Sequence, residues 1–329
     1  MRHNESMQPF RELSPTGKTH RLRDLAHLVL ADRFGITNAS VSLLATHSFN
    51  TLFRVDCGDK RRYALRVGDG LRIHALGVEA IEAHWLNSLD AITPMRSLAT
   101  VDGTFGDTVK NPGVEEPRVV SLLTWVPGRN LRDLFSNDAA ALAGRRLAEL
   151  HEQASSFKLD TSVKLIRADK PITFGDTAVL GQWQSEYGTL FADAIDRAEG
   201  ELDRLWASPP HDAHLFHGDF APHNIMRWRN RLMPIDFQDL QYGFDVQDIA
   251  IAFSSWERDH PDAIADFQRG YCDVRSWPAA VEPLLMAALA ASRSLNVLNL
   301  GLQLKRFGLQ ESIARHTTAI RTWMSTGPS

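Results

Sequence analysis

The chain changes character at Val126-Pro127-Gly128, and that change restricts its fold more than any other feature. Before it, short apolar runs alternate with turn residues: Val41 to Ala45, Thr51 to Asp56 and Tyr63 to Val67, with Gly58-Asp59-Lys60 between the last two. Runs of this length joined by tight turns predict an antiparallel meander. Two further strands are expected at Arg96–Val101 and Val119–Trp125, around an exposed loop holding Pro112, Gly113, Glu115, Glu116 and Pro117. Apolar residues recur at helical spacing from His20 to Phe34 and from Leu76 to Leu89, whereas the first twenty residues show no period and read as a loose arm. After Gly128 the pattern is mainly helical, as in Ala139–Glu152, where Asn137 or Asp138 is the expected cap. One island, His214 to Asp239, reads as strand, loop, strand, turn, strand. A β-rich first third and a helical remainder predict two lobes, residues 1–123 and 124–329, the second including the joint.

Charge and cysteine content narrow the function classes. The 329 residues carry 36 basic and 40 acidic side chains, a net charge of −4. That balance gives no reason to expect a nucleic-acid partner, which normally demands a basic face. Cys57 and Cys272 cannot make a disulfide framework, so a reduced, cytoplasmic setting is expected. The polar N-terminus lacks the apolar core of a signal peptide. The most apolar run, Leu284 to Ala291, is shorter than a bilayer requires, so no membrane partner is expected. Gly17-Lys18-Thr19 resembles the end of a phosphate-binding loop, but Glu12 stands where its first glycine belongs and no strand precedes it.

The stretch His217-Gly218-Asp219-Phe220-Ala221-Pro222-His223-Asn224, followed by Ile235-Asp236-Phe237, carries the chemistry. It fits the H-x-D-x-x-x-x-N pattern of a kinase catalytic loop, with Asp236-Phe237 in the place of D-F-G. Phosphoryl transfer needs positioned charge more than covalent help: an acidic group at the acceptor hydroxyl, and metal ions on the phosphates. Asp219 suits the first task, and Asn224 with Asp236 supply hard oxygen ligands for Mg²⁺. A hairpin from Ile225 to Ile235, turning at Arg229-Asn230-Arg231, would bring Asn224 and Asp236 to one end. His211, His214 and His217, three apart, could suggest a metal cluster with Asp219. On an extended segment that spacing does not gather three rings, and His211 and His214 read as exposed loop residues.

These residues, together with Phe49-Asn50-Thr51, Tyr63–Val67, Leu122–Gly128 and Asp248-Ile249-Ala250, resemble the aminoglycoside phosphotransferase and choline kinase family, over about Val41 to Arg293. Within it the chain is most similar to the bacterial branch of homoserine-kinase-like and stress-response kinases. The resemblance implies an α+β, protein-kinase-like two-lobed fold: an N-terminal antiparallel sheet with one helix and a mainly helical C-terminal lobe. It implies ATP as phosphoryl donor, Mg²⁺, and a small hydroxylated acceptor such as an amino alcohol, homoserine, a sugar or an aminoglycoside. Ser48 to Asn50 would form the turn over the phosphates, although no G-x-G-x-x-G is present. Arg66 takes the place of the usual lysine, with Glu79 as its helix partner and Glu82 as the rival. Thr124 C=O and Val126 N–H would meet the adenine edge, since Pro127 has no N–H. Asp248 would brace the catalytic-loop backbone, and His217 would hold the loop and orient Asp236. A serine/threonine protein kinase and a nucleotide-binding pseudokinase are the alternatives, the second favoured only by Arg66.

Overall fold

The computed structural model describes residues 8–46, 49–74, 77–89, 91–158, 166–175, 184–278, 282–304 and 310–326. Two compact units meet along the chain at Trp125 and Val126. The first comprises the described residues up to Ile73, Gly77–Ser88 and Pro94–Trp125, and the second holds most of the remainder.

The first unit begins with helix α1, Pro15–Phe34. It starts earlier than the apolar period indicates, because Ser14-Pro15 supplies a start signal that the period does not contain. The Ser14 hydroxyl accepts from Gly17 N–H at 3.2 Å, and Pro15 is preset for the first turn. Gly17-Lys18-Thr19 therefore lies in helix, and of the segment expected as a loose arm, residues 15–20 belong to α1 and Phe10–Glu12 form a 3₁₀ turn. Strands β1 (Ala39–Thr46), β2 (Asn50–Cys57), β3 (Arg62–Gly68), β4 (Ser97–Leu98), β5 (Asp107–Asn111) and β6 (Val114–Thr124) form one antiparallel sheet. Its order is β1-β2-β3-β6-β4, with β5 also on β6.

The segment from Pro112 to Pro117, expected as an exposed loop, belongs to the β5–β6 hairpin, and Pro112, Glu115, Glu116 and Pro117 are exposed as expected. Its register shifts between Val109↔Arg118 and Asn111↔Val114, and Pro117 falls on the β6 stretch inside that irregularity, where a missing N–H breaks no regular ladder. Leu22, Leu25, Ala26, Val29 and Leu30 of α1 share a core with Phe53, Val55, Leu65, Val67, Val120 and Leu122 of the sheet. Fully burying such side chains contributes roughly 1.5–3 kcal/mol each, so α1 is integral to the unit. Strand period 2 turns Arg66 to the face opposite Leu65 and Val67, towards helix α2, Val78–Leu86.

The second unit contains α3 (Asn137–Ser156), α4 (Gln184–Tyr187), α5 (Leu190–Ala207), α6 (Asp245–Asp259), α7 (Ile264–Cys272), α8 (Pro283–Leu304) and α9 (Gln310–Ser325). Ser136, rather than Asn137 or Asp138, is the cap residue of α3, and its side chain makes no capping bond. Helices α3 and α7 approach at two glycines: a Cβ on Gly144 would lie 1.8 Å from Phe267 O, and one on Gly270 1.8 Å from Ala141 O. The apolar octet Leu284–Ala291 belongs to the 22-residue α8, which is long and apolar enough to cross a membrane, so the argument from length fails. Its packing accounts for its composition. Ala288, Leu295, Leu298 and Leu302 join Phe191, Ala194, Ile320 and Trp323 in one core, and Asn296 accepts from Thr173 N–H at 2.9 Å. The strands of this unit are β7 (Arg129–Asn130), β8 (His214–Phe216), β9 (Ile225–Trp228), β10 (Arg231–Pro234) and β11 (Gln241–Gly243). They pair as β10-β9-β7 and β11-β8.

Candidate active site

Strand β8 runs into the loop His217–Asn224, whose backbone is held by a buried carboxylate. Asp248, on the first turns of α6 and fully buried, accepts from His217 N–H at 3.0 Å and from Gly218 N–H at 3.1 Å. His151 Nε2 lies 3.2 Å from the same carboxylate. Gly218 sits at φ +78°, and a Cβ there would fall 2.0 Å from Asp239 O, so only glycine fits. His217 ties the loop to the strand that follows. Its Nδ1 accepts from Asp219 N–H at 3.2 Å, which leaves Nε2 to donate to Ile235 O at 3.1 Å, beside Asp236.

Asp219, third of the eight residues in this loop, meets three polar groups. Arg293 Nη2 of α8 lies 2.5 Å from Oδ1, Asn224 Nδ2 donates to Oδ2 at 2.8 Å, and His223 Nε2 is 3.5 Å from Oδ2. Burial pushes the carboxyl up, but the charge of Arg293 and the bond and charge of His223 outweigh it, holding Asp219 well below the usual carboxylate range. It is a fixed anion that can orient a hydroxyl.

Asn224 and Asp236 lie at the open end of the β9–β10 hairpin. The register Pro234↔Ile225 continues into Ile235 N–H donating to Asn224 O at 2.9 Å. The two-residue turn at the other end places Arg229 at φ +56°. Asn224 Nδ2 is committed to Asp219 O at 3.0 Å and to the Asp219 carboxylate, so its amide oxygen is the group left to act as a ligand. Asp236 has φ +62°, ψ +68°, a conformation a non-glycine residue adopts at a cost of order 1–3 kcal/mol. An amide oxygen and a carboxylate on neighbouring chain segments, one held in an unfavourable backbone state, suit a hard divalent cation such as Mg²⁺.

In the first unit, Arg66 is gripped by Glu82 and not by Glu79. Nη1 and Nη2 lie 3.1 and 2.5 Å from the two Glu82 carboxylate oxygens, and Nε donates to Ser121 Oγ at 3.0 Å. Glu79, one turn earlier on α2, pairs with Arg72 at 3.1 Å and is packed beneath Gly106, whose hypothetical Cβ would be 2.9 Å from Glu79 Cβ. The rival named from sequence, Glu82, is the partner, and the expected Glu79 is not.

The profile of the phosphotransferase enzyme family (APH) matches residues 43–283, well over half of the chain. The chain belongs to that family. No curated protein sequence matches at a significant level. Among solved structures, the amicoumacin kinase hAmiN in complex with AMP-PNP, Ca²⁺ and Ami is similar at TM-score 0.73 and 15% identity, covering 95% of this chain and 97% of that one. The microcompartment-associated aminopropanol kinase is similar at 0.70 and 25% identity, covering 92% and 95%. A choline/ethanolamine kinase family protein from Mesorhizobium loti is similar at 0.61 and 16% identity, covering 93% and 96%. The fold is the protein-kinase-like fold of these phosphotransferases, and the protein is a small-molecule kinase.

The remaining expected residues of this phosphotransferase fall as follows. Ser48 lies outside the described residues, and Asn50 opens β2 opposite Gly68. Thr124 is pinned to residues 94–96, its N–H donating to Arg96 O and its hydroxyl to Pro94 O, each at 2.9 Å. Val126 N–H finds no acceptor among the described residues although Val126 is buried, so it keeps a donor to offer. Trp125 beside it is half-buried, with the Arg62 and Arg54 guanidinium groups 5.4 and 5.7 Å from its ring centre. Of the residues after Asp236, Asp239 bonds His74 at 2.8 Å and Asp245 is fully enclosed. The expectation that His211 and His214 are exposed fails: His214 is buried, His211 half-buried, and both turn to Asp245, which lies far along the sequence. Arg293 escaped notice, yet its signal was present. A cation inside the most apolar helix must be paired.

Proposed function

We propose that the protein transfers the γ-phosphoryl group of ATP to a hydroxyl of a small molecule that carries a carboxylate, a homoserine-like acceptor, with Mg²⁺ on the nucleotide phosphates. One observation carries the kinase reading. Asn224 bonds the Asp219 carboxylate through its side chain and the segment entering Asp236 through its backbone, so the three residues form one connected unit. Asn224 and Asp236 would hold the cation, which would supply charge neutralisation for the nucleotide phosphates. Asp219 orients the acceptor hydroxyl and receives its proton late, since a group held so acidic is a weak base. Arg66, fixed by Glu82, binds phosphate oxygens, and Val126 N–H bonds the adenine edge. Arg293 at 2.5 Å from Asp219 places a guanidinium where the acceptor docks, which supports an anionic group on the acceptor over a bare amino alcohol.

An ATP-consumption screen tests both levels, with hydroxy amino acids, amino alcohols, sugars and aminoglycosides as separate arms and the phosphorylated product identified by mass. Turnover confined to acceptors without a carboxylate would refute the finer reading and leave the kinase reading intact. Wild-type protein that binds Mg·ATP, phosphorylates nothing and is unaffected by Asp219→Asn would establish a nucleotide-binding pseudokinase.

A further inference from the structure

The helical unit holds a second polar centre that phosphoryl transfer does not use. Asp245, first residue of α6 and 2% exposed, lies at the positive end of that helix. Its Oδ2 is 3.0 Å from Arg275 Nη2 and 3.3 Å from the Tyr271 hydroxyl. His214 Nε2 is 2.6 Å from Oδ1, His211 Nε2 is 3.6 Å from Oδ2, and His151 Nδ1 is 3.4 Å from Oδ1.

The other ring nitrogens decide what these atoms can do. His211 Nδ1 lies 2.8 Å from Asp212 O, and His214 Nδ1 2.8 Å from Leu215 O. A carbonyl only accepts, so each Nδ1 carries a hydrogen, and in a neutral ring Nε2 is then a bare lone pair. His211 Nε2, His214 Nε2 and Asp245 Oδ1 are each buried with no well-aligned hydrogen bond, although His214 Nε2 and Oδ1 are only 2.6 Å apart. Ligand atoms of these three residues lie within 4.8 Å of one another. Two lone pairs and a carboxylate oxygen gathered this closely repel unless a cation lies among them.

We propose that His211, His214 and Asp245 bind a divalent transition-metal ion, zinc by chemistry, at a structural site separate from the Mg·ATP centre. Two imidazoles and one carboxylate are a zinc donor set, whereas Mg²⁺ and Ca²⁺ prefer oxygen alone. Zinc bonds of about 2.0–2.1 Å in tetrahedral geometry put ligand atoms roughly 3.3 Å apart, and here His214 Nε2 and Asp245 Oδ1 are 2.6 Å apart with all three ligand atoms within 4.8 Å of one another. Supporting contacts are in place. Backbone carbonyls fix both imidazole tautomers, and Arg275 and Tyr271 hold the Asp245 oxygen that the ion leaves unused. With three protein ligands, zinc would keep a water as its fourth. The ion fastens β8, the strand entering the catalytic loop, to α6, the helix carrying the Asp248 brace.

The test uses tag-free, full-length protein stripped with EDTA and titrated with Zn²⁺ under saturating Mg·ATP. The expected result is one zinc per chain, a visible absorption band when Co²⁺ replaces it, and a rise in Tm of roughly 5 °C or more at a hundredfold excess over Kd. His211→Gln, at a half-buried loop position, should weaken Zn²⁺ binding at least tenfold with an unchanged far-ultraviolet spectrum, while Asp236→Asn should leave it intact. Absence of zinc binding, or binding that His211→Gln does not weaken, would overturn the proposal. A Tm that rises on acidification from pH 8 to 6 with no response to zinc would also overturn it, identifying a proton as the cation in the cluster.

Discussion

Replacing Glu82 by glutamine should cost far more stability than the same change at Glu79, although both are acidic residues on the same nine-residue helix. The Arg66 and Glu82 side chains are 4% and 1% exposed, and their two hydrogen bonds run in parallel from guanidinium to carboxylate. Removing one partner of such a pair leaves a buried charge poorly compensated, at a cost of about 3–5 kcal/mol, and glutamine's remaining acceptor should keep the loss near 3. The Arg72–Glu79 pair is a quarter exposed on its arginine side and has longer bonds, so Glu79→Gln should cost about 1 kcal/mol or less. Urea unfolding followed by circular dichroism, compared at constant m, measures both. The double variant Arg66→Met/Glu82→Leu should recover much of the single-variant loss, because two apolar side chains replace two desolvated charges. Equal costs at Glu79 and Glu82, or strictly additive single changes, would refute the assignment of Glu82 as the structural partner. Arg66→Lys should restore nucleotide affinity only partly after Arg66→Ala, since an ammonium cannot reproduce the two-pronged grip.

Asp219→Asn should lower kcat by about 10²–10⁴-fold while Mg·ATP still binds, whereas Asp236→Asn should weaken both, as steady-state kinetics and calorimetry will show. Asp219 is more acidic folded than unfolded, so its ionisation stabilises the fold fully above about pH 4 and that contribution is lost as pH falls further. The kcat–pH profile should accordingly lack an acid limb from Asp219 above pH 5, and Arg293→Gln should create one by leaving burial to raise the carboxyl; identical profiles would exclude the pairing. Gly218→Ala should abolish activity in folded protein, because its Cβ would meet Asp239 O at 2.0 Å.

The gathering of the candidate site was legible because it is local: Asp219, Asn224 and Asp236 lie within eighteen residues, and one hairpin brings them together. The meander β1–β3 was legible for the same reason, as alternation and turns act over a few residues. What escaped depends on partners distant in sequence. Glu82 outranks Glu79 only because of where α2 sits on the sheet, which helical counting cannot supply. The β5–β6 hairpin was hidden by Pro117, whose penalty vanishes in a bulge. The Arg293–Asp219 pair and the His211–His214–Asp245 cluster join positions more than thirty residues apart, and neither has a period.

The crossing of α3 and α7 at Gly144 and Gly270 sets a mechanical limit on the helical unit. Side chains elsewhere in the core can change rotamer and let helices slide, but here backbone meets backbone, and a contact of that kind neither compresses nor ratchets. His151 from α3 and Tyr271 from α7 touch each other at 2.9 Å and both reach α6, through Asp248 and Asp245 respectively. The pair therefore acts as a fixed bearing under the helix that holds the catalytic loop. Backbone amides of α3 and α7 should be among the slowest in the chain to exchange with deuterium, and drift in acceptor preference among relatives should be carried by α5, α8 and α9 while this crossing keeps its two glycines.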